Sequence, residues 1–430
     1  MVATQSRLEF GTMSPIALDR QDAVRPAQPY SAFSSGSSEE DRTVTVSARS
    51  ALPDASGVSA RDPAQLRVAI VHDYLTQRGG AERVVLALLK IFPGARLVTS
   101  VYNEAATFPE FGEYDVETTW LNRVPAFRKD PRQALPFLAR AFGKCKLRNV
   151  DLVVCSSSGW SHGIQADAPK LVYCYNPARW LYQSDQYLEP HGRAVGLASR
   201  MSRRWLTGWD RRAASSAERY VTLSQVVNER ISRQYGIDAD VVAPPMTLDA
   251  SGPQEAVPGL KPGFLLTVSR ARGYKNVSSI IDAISRLPEE RLVVVGASAS
   301  SDWPASVTGL RDLSDSQMRW LYANCAAVVA ASYEDFGLTP VEGYAFGKPA
   351  ACLRAGGYLD TMRVGEVGVF FDEPSGASIR DAIVELRAQT WDSARVRAHA
   401  QQFTFEAFRD RVLAEAHLVL TGESSTLAAS

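Results

Sequence analysis

The sequence predicts an α/β protein built from two doubly wound parallel-sheet domains. Three observations carry that expectation. At 430 residues the chain exceeds what one hydrophobic core normally serves. Short apolar runs rich in β-branched residues recur along it, separated by stretches with helical spacing. One break, holding Pro244-Pro245, Ser251-Gly252-Pro253, Pro258-Gly259 and Pro262-Gly263, interrupts the alternation past the middle.

Residues 1 to 65 are rich in Ser, Ala, Pro and charge and have no periodicity, which predicts a disordered tail. A first domain is expected over 66 to 245. It opens with the buried-strand run Leu66 to Val71, a loop ending in Gly79-Gly80, and a helix from Ala81 to Leu89. Further strands are read at Arg96 to Ser100, Asp151 to Cys155, Lys170 to Cys174 and Tyr220 to Leu223. The break over 246 to 262 reads as a linker. A second domain, 263 to 395, repeats the alternation at Phe264 to Val268, Arg291 to Gly296, Ala326 to Ala330, Pro349 to Cys352 and Gly368 to Phe371. A C-terminal helix over 396 to 420 and a polar tail, 421 to 430, complete the expected plan.

Composition narrows the function classes. There are 47 basic and 47 acidic residues and no net charge, so a surface devoted to nucleic acid is not expected. Five scattered cysteines without CxxC spacing suggest neither a disulfide framework nor a zinc site. No run of about 18 apolar residues exists. Glu9, Asp19, Arg20 and Asp22 occupy the region where the apolar core of a signal peptide would lie. A cytoplasmic protein is therefore expected.

The segment Glu334-Asp335-Phe336-Gly337-Leu338-Thr339-Pro340-Val341-Glu342 follows a predicted strand, the place where ligands of open α/β sheets bind. Pro340 suits the first turn of a helix, and Gly337 lets the backbone approach a ligand closely. The amides of Phe336, Gly337, Leu338 and Thr339 would face an anion at that helix N-terminus. Glu334 and Glu342, eight residues apart, can grip two hydroxyl-bearing parts of one ligand. The alternative is a helix cap and a solvated face. Ser269-Arg270-Ala271-Arg272-Gly273-Tyr274-Lys275-Asn276 again joins a strand to a helix, and its cations suit a diphosphate. In the first domain, Asp73 begins a loop that reaches Gly79 and Gly80 and lacks a third glycine, which lowers the dinucleotide reading.

The nine-residue segment resembles the E-x7-E motif of family 4 glycosyltransferases, retaining enzymes of the GT-B fold. That resemblance, which runs over roughly residues 66 to 415 and includes enzymes of bacterial polysaccharide synthesis, implies that Glu334 contacts the transferred sugar and Glu342 the ribose. It implies that Arg270 and Lys275 hold the diphosphate. It also implies that Gly79 and Gly80 admit the donor or the reacting groups. The stretch Tyr173 to Tyr182 is similar to the family's C-H-T-P-x-R-Y pattern, with Tyr175 in place of histidine and Asn176 in place of threonine. Tyr175 and Arg179, with Asp73, are expected on the acceptor side. His162, on a glycine-flanked loop read as facing the cleft, is the candidate for the missing histidine's role, with an ordinary loop histidine as the alternative.

The expected reaction is transfer of a hexose, with mannose preferred by analogy, from a nucleoside diphosphate sugar to a glycan or lipid-linked acceptor. Front-face attack would retain the anomeric configuration, and preorganised cations would stabilise the leaving diphosphate. No metal or other cofactor is expected, because no DxD-type pair is placed on a loop. Arg123 to Arg148, with Phe127, Phe137 and Phe142, and Arg193 to Arg219, with Trp205 and Trp209, suit an anionic membrane surface. A nucleotide-sugar epimerase and a non-catalytic nucleotide-sugar-binding protein remain as rival readings.

Overall fold

The computed structural model describes residues 66–182, 196–269, 275–298 and 300–423. The tail expected over 1 to 65 and the candidate Arg270 lie outside them.

The first lobe is a seven-stranded parallel sheet of β1 (Val68–His72), β2 (Arg96–Thr99), β3 (Val116–Thr118), β5 (Leu152–Ser157), β7 (Lys170–Cys174), β8 (Arg219–Thr222) and β9 (Asp240–Val241). Their order across the sheet is β3-β2-β1-β5-β7-β8-β9. A separate two-stranded ladder pairs β4 (Lys146–Leu147) with β6 (Gln165–Ala166). The central strand β1, Val-Ala-Ile-Val-His, is buried at every position, as a strand covered on both faces must be. The helix Gly80–Ile91 supplies part of that cover through Val84, Val85, Leu88 and Leu89. Each such fully buried aliphatic side chain contributes about 1.5–3 kcal/mol.

The second lobe holds β10 (Leu265–Val268), β11 (Leu292–Val295), β12 (Val307–Leu310), β13 (Ala327–Ala330), β14 (Ala350–Leu353) and β15 (Gly368–Phe371). Their order is β12-β11-β10-β13-β14-β15, and all neighbours run parallel. In each lobe the chain winds outward, then returns to the other side of the starting strand. The reversals fall between β1 and β5 and between β10 and β13. Loops diverge there at the carboxyl ends of the strands, leaving the crevice in which such sheets bind ligands.

The stretch between Val241 and Leu265 holds no helix or strand. The expected C-terminal helix is two: Ser393–Ala400 and Phe405–Thr421, joined by the 3-10 turn Gln401–Phe403. Thr404 interrupts them because its hydroxyl caps the second helix, accepting from the Ala407 amide. This helix returns to the first lobe. There Phe408 meets Tyr173 edge-on at 5.8 Å and Glu415 pairs with Arg219.

Candidate active site

Gly337 starts the helix Leu338–Ala345 in the left-handed region, at φ 90°. A side chain there would collide with the Tyr358 ring, so glycine is required by both conformation and space. The loop before it rests on a turn that the sequence reading did not single out. The Gly357 amide donates to the Glu334 carbonyl at 2.8 Å, and neither Gly356 nor Gly357 has room for a Cβ beneath residues 334 to 336. The signal was present in the Gly-Gly pair after β14.

Lys275 is ion-paired with Glu334. Ser332 donates to the same Glu334 oxygen at 2.8 Å and sits 3.2 Å from the Tyr358 hydroxyl. Asn276, in the left-handed region at φ 50°, donates to the Ala331 carbonyl at 2.8 Å and so ties the loop after β10 to the loop after β13. Thr267, Lys275, Ala331, Ser332, Thr339 and Tyr358 line a small cavity at the ends of these two strands. The Phe336 side chain turns away, buried against the Phe403 ring at 5.8 Å.

Glu342 lies in the following helix. Its two carboxylate oxygens accept from Tyr322 at 2.8 Å and Thr247 at 2.5 Å. Burial pushes its carboxyl above the usual range, against the pull of those hydrogen bonds and of the Arg83 charge.

From the first lobe, Gly79 and Gly80 open the helix Gly80–Ile91, and a Cβ on Gly80 would stand 3.9 Å from the Leu338 side chain. The glycine loop and the start of the Leu338–Ala345 helix are thus brought together across the crevice. Behind the loop is a buried polar chain, unremarked in the sequence reading because its members are scattered. His72 Nδ1 lies 2.8 Å from Ser156 Oγ, which lies 2.9 Å from the Tyr175 hydroxyl, and His72 Nε2 is 4.0 Å from Glu82. Burial pushes the Glu82 carboxyl upward, but hydrogen bonding and charge from His72, with smaller hydrogen bonds, outweigh it and leave the group below its ordinary value. Tyr175 also donates to the Ala81 carbonyl at 3.1 Å, so it braces the glycine loop.

Two expectations are corrected. Asp73 does not face an acceptor: only 2% exposed, it accepts from the Ser158 and Ser161 amides, each at 2.7 Å, and shapes the loop after β5. Burial raises its pKa, opposed by the His72 charge and these amides. Nor does His162 face the cleft. It is 1% exposed, with Nδ1 at 2.8 Å from the Tyr220 hydroxyl and Nε2 at 3.0 Å from Asp210. Gly163 explains this inward turn, since the Trp209 ring packs where its side chain would be. Arg179 reaches the other lobe, pairing with Asp335.

Two parallel-sheet lobes, with the start of the Leu338–Ala345 helix in one meeting the glycine loop of the other, define a glycosyltransferase of the GT-B fold. Residues 78–249 match the family described as Glycosyltransferase Family 4, and residues 253–403 match Glycosyl transferases group 1. The chain belongs to the family 4 glycosyltransferases. It is 28% identical over 102 residues to alpha-1,3/1,6-mannosyltransferase ALG2 of Dictyostelium discoideum, spanning 22% of this chain and only 24% of that protein. It is 24% identical to ALG2 of Homo sapiens over 78% of this chain and 92% of that one. Among solved structures, Anabaena HepE in complex with UDP and glucose superposes with a TM-score of 0.57 at 16% identity, covering 81% of this chain and 99% of that one.

Proposed function

We propose that the protein transfers a hexose, with retention, from a nucleoside diphosphate sugar to a glycan or lipid-linked acceptor in polysaccharide synthesis. The observation that carries this reading is the Lys275–Glu334 pair at the ends of β10 and β13. A cation there suits the donor diphosphate, and a carboxylate beside it suits the sugar hydroxyls. Donor chemistry is supported by HepE, solved with UDP and glucose. Mannose is supported by the likeness to the ALG2 mannosyltransferases.

In this reading Lys275, with Arg270, stabilises charge on the departing diphosphate, and the amides from Phe336 to Thr339 add the field of the helix N-terminus. Glu342 receives the ribose hydroxyls once Thr247 or Tyr322 gives way. Gly79 and Gly80 leave room for the reacting groups. The acceptor attacks the anomeric carbon from the face that the diphosphate leaves, its proton passing to a departing oxygen.

The acceptor side is assigned to an anionic membrane surface. Trp120 and Phe137, 44% and 42% exposed, form an aromatic cluster with Phe127, with ring centroids about 6 Å apart. Arg123, Arg128, Lys129, Arg132, Arg140 and Lys144 surround it in the chain, all exposed. Phe142, by contrast, belongs to the core. No helix among the described residues is long and apolar enough to cross a membrane.

A thermal-shift series with UDP, GDP, ADP and their hexose conjugates tests the donor assignment. One nucleotide and its sugar should raise the melting temperature of the wild type and fail to do so for Lys275→Ala. No shift with any of them would overturn it.

A further inference from the structure

We propose that Asp335 is a positioning residue for sugar transfer, clasping the first lobe so that closure of the cleft sets the neighbouring Glu334. The two side chains serve opposite lobes. Glu334 turns to Lys275 and Ser332 of its own lobe. Asp335 turns to the other: one carboxylate oxygen meets Arg179 and accepts from Asn176 at 3.1 Å, and its second oxygen accepts from Arg230 at 2.7 Å. Arg230 also donates to the Tyr333 hydroxyl at 3.1 Å, so the residues flanking Glu334 are held on both sides.

A second clasp acts on the same unit. Asp360 accepts from the Gln225 amide at 2.8 Å, at the N-terminus of the helix Gln225–Tyr235 that also carries Arg230. Asp360 follows the Gly356-Gly357 turn that supports residues 334 to 336 from below. One first-lobe helix is thus fastened at its start and middle to the loop and turn that carry Glu334.

The Asp335 cluster differs from an ordinary surface pair, whose value is small. Three first-lobe groups converge on one carboxylate, and the Asp335 and Arg230 side chains are only 16% and 15% exposed. Moving the lobes apart breaks all three contacts and frees the backbone next to Glu334. The sugar contact is therefore made rigid only when the lobes are closed, a gating role of the kind that lids and hinges serve.

The inference rests on the sugar-transfer reading only in its kinetic arm. The structural arm uses small-angle scattering on the full chain without substrate. Asp335→Ala, and Arg179→Ala combined with Arg230→Ala, should each enlarge the radius of gyration, and the triple variant should enlarge it no further. If Asp335→Ala does not fold, Asp335→Asn keeps the shape without the charge and is read the same way. In the kinetic arm, turnover of Asp335→Asn should fall about tenfold while its Kd for UDP or GDP, whichever binds the wild type, stays within about twofold. Unchanged scattering would overturn the clasp, and nucleotide affinity lost in step with turnover would place Asp335 in the donor site instead. Failure of every nucleotide to bind would count against the sugar-transfer reading and leave the scattering result standing.

Discussion

Lys275, from the loop after β10, holds Glu334, from the loop after β13, in an ion pair. The cation assigned to the donor diphosphate is therefore engaged by the carboxylate assigned to the sugar, and donor binding has to rearrange the two. Glu334→Gln removes the competing charge. It should bind free nucleoside diphosphate several-fold more tightly than the wild type and lose turnover. Lys275→Ala should cost about 2–3 kcal/mol of transition-state stabilisation with the fold intact. Calorimetry and steady-state kinetics on both variants check this. Wild-type kcat/KM in Lys275→Ala would remove the assigned diphosphate site.

Glu342 gives a prediction about pH. Burial raises its carboxyl above the ordinary range for a glutamate, so the folded protein binds this proton more tightly than the unfolded chain does. The resulting stability is fully present below the unfolded value and lost as pH rises through the higher folded one. Glu342→Gln should flatten stability against pH over that window, as followed by urea unfolding, and Glu342→Ala should weaken nucleoside diphosphate binding. A profile that matches wild type would show that the hydrogen bonds from Tyr322 and Thr247 already offset the burial.

His162 is expected to act on stability alone. Removing it leaves the fully buried Asp210 carboxylate accepting from the Tyr182 hydroxyl at 2.8 Å and without its imidazole neighbour. Stranding a buried charge costs about 3–5 kcal/mol. Urea unfolding of His162→Ala should show a loss of that order, while the folded fraction keeps wild-type kcat/KM. Full stability with lost turnover would return His162 to the reaction.

The aromatic cluster of Trp120, Phe127 and Phe137 and its neighbouring cations predict reversible, salt-sensitive binding to anionic vesicles. Each Lys or Arg near such a surface is worth about 1 kcal/mol. Co-sedimentation should show binding to anionic and not to neutral vesicles at low salt. Deletion of residues 1 to 60 should not alter it, and Trp120→Ala with Phe137→Ala should weaken it. Equal binding to both vesicle types would remove the electrostatic component.

Nine of the ten strand runs were legible because central parallel strands are buried on both faces and read as continuous apolar runs, and the tenth, Gly368–Phe371, is an edge strand that is itself apolar. Five strands were not: the two-residue partners β4 and β6, and three more at the edges of the large sheets. Val116–Thr118 carries Glu117, Val307–Leu310 carries a central glycine, and Asp240–Val241 is two residues long. All three are edge or near-edge strands with little apolar area to reveal them. In the site, the E-x7-E segment and the glycine loop could be read because glycine and proline fix backbone geometry locally. The directions of Asp73 and His162 could not. Asp73 depends on the Ser158 and Ser161 amides, and His162 on Trp209, Asp210 and Tyr220, all far along the chain.

The helix Phe405–Thr421 lies against a lobe whose sheet was completed far earlier in the chain. On the ribosome, β1 to β9 emerge first and wait through synthesis of the entire second lobe before Phe408 can cover Tyr173 or Glu415 can neutralise Arg219. Folding of the two lobes is not strictly successive, because the first to be translated is the last to be finished.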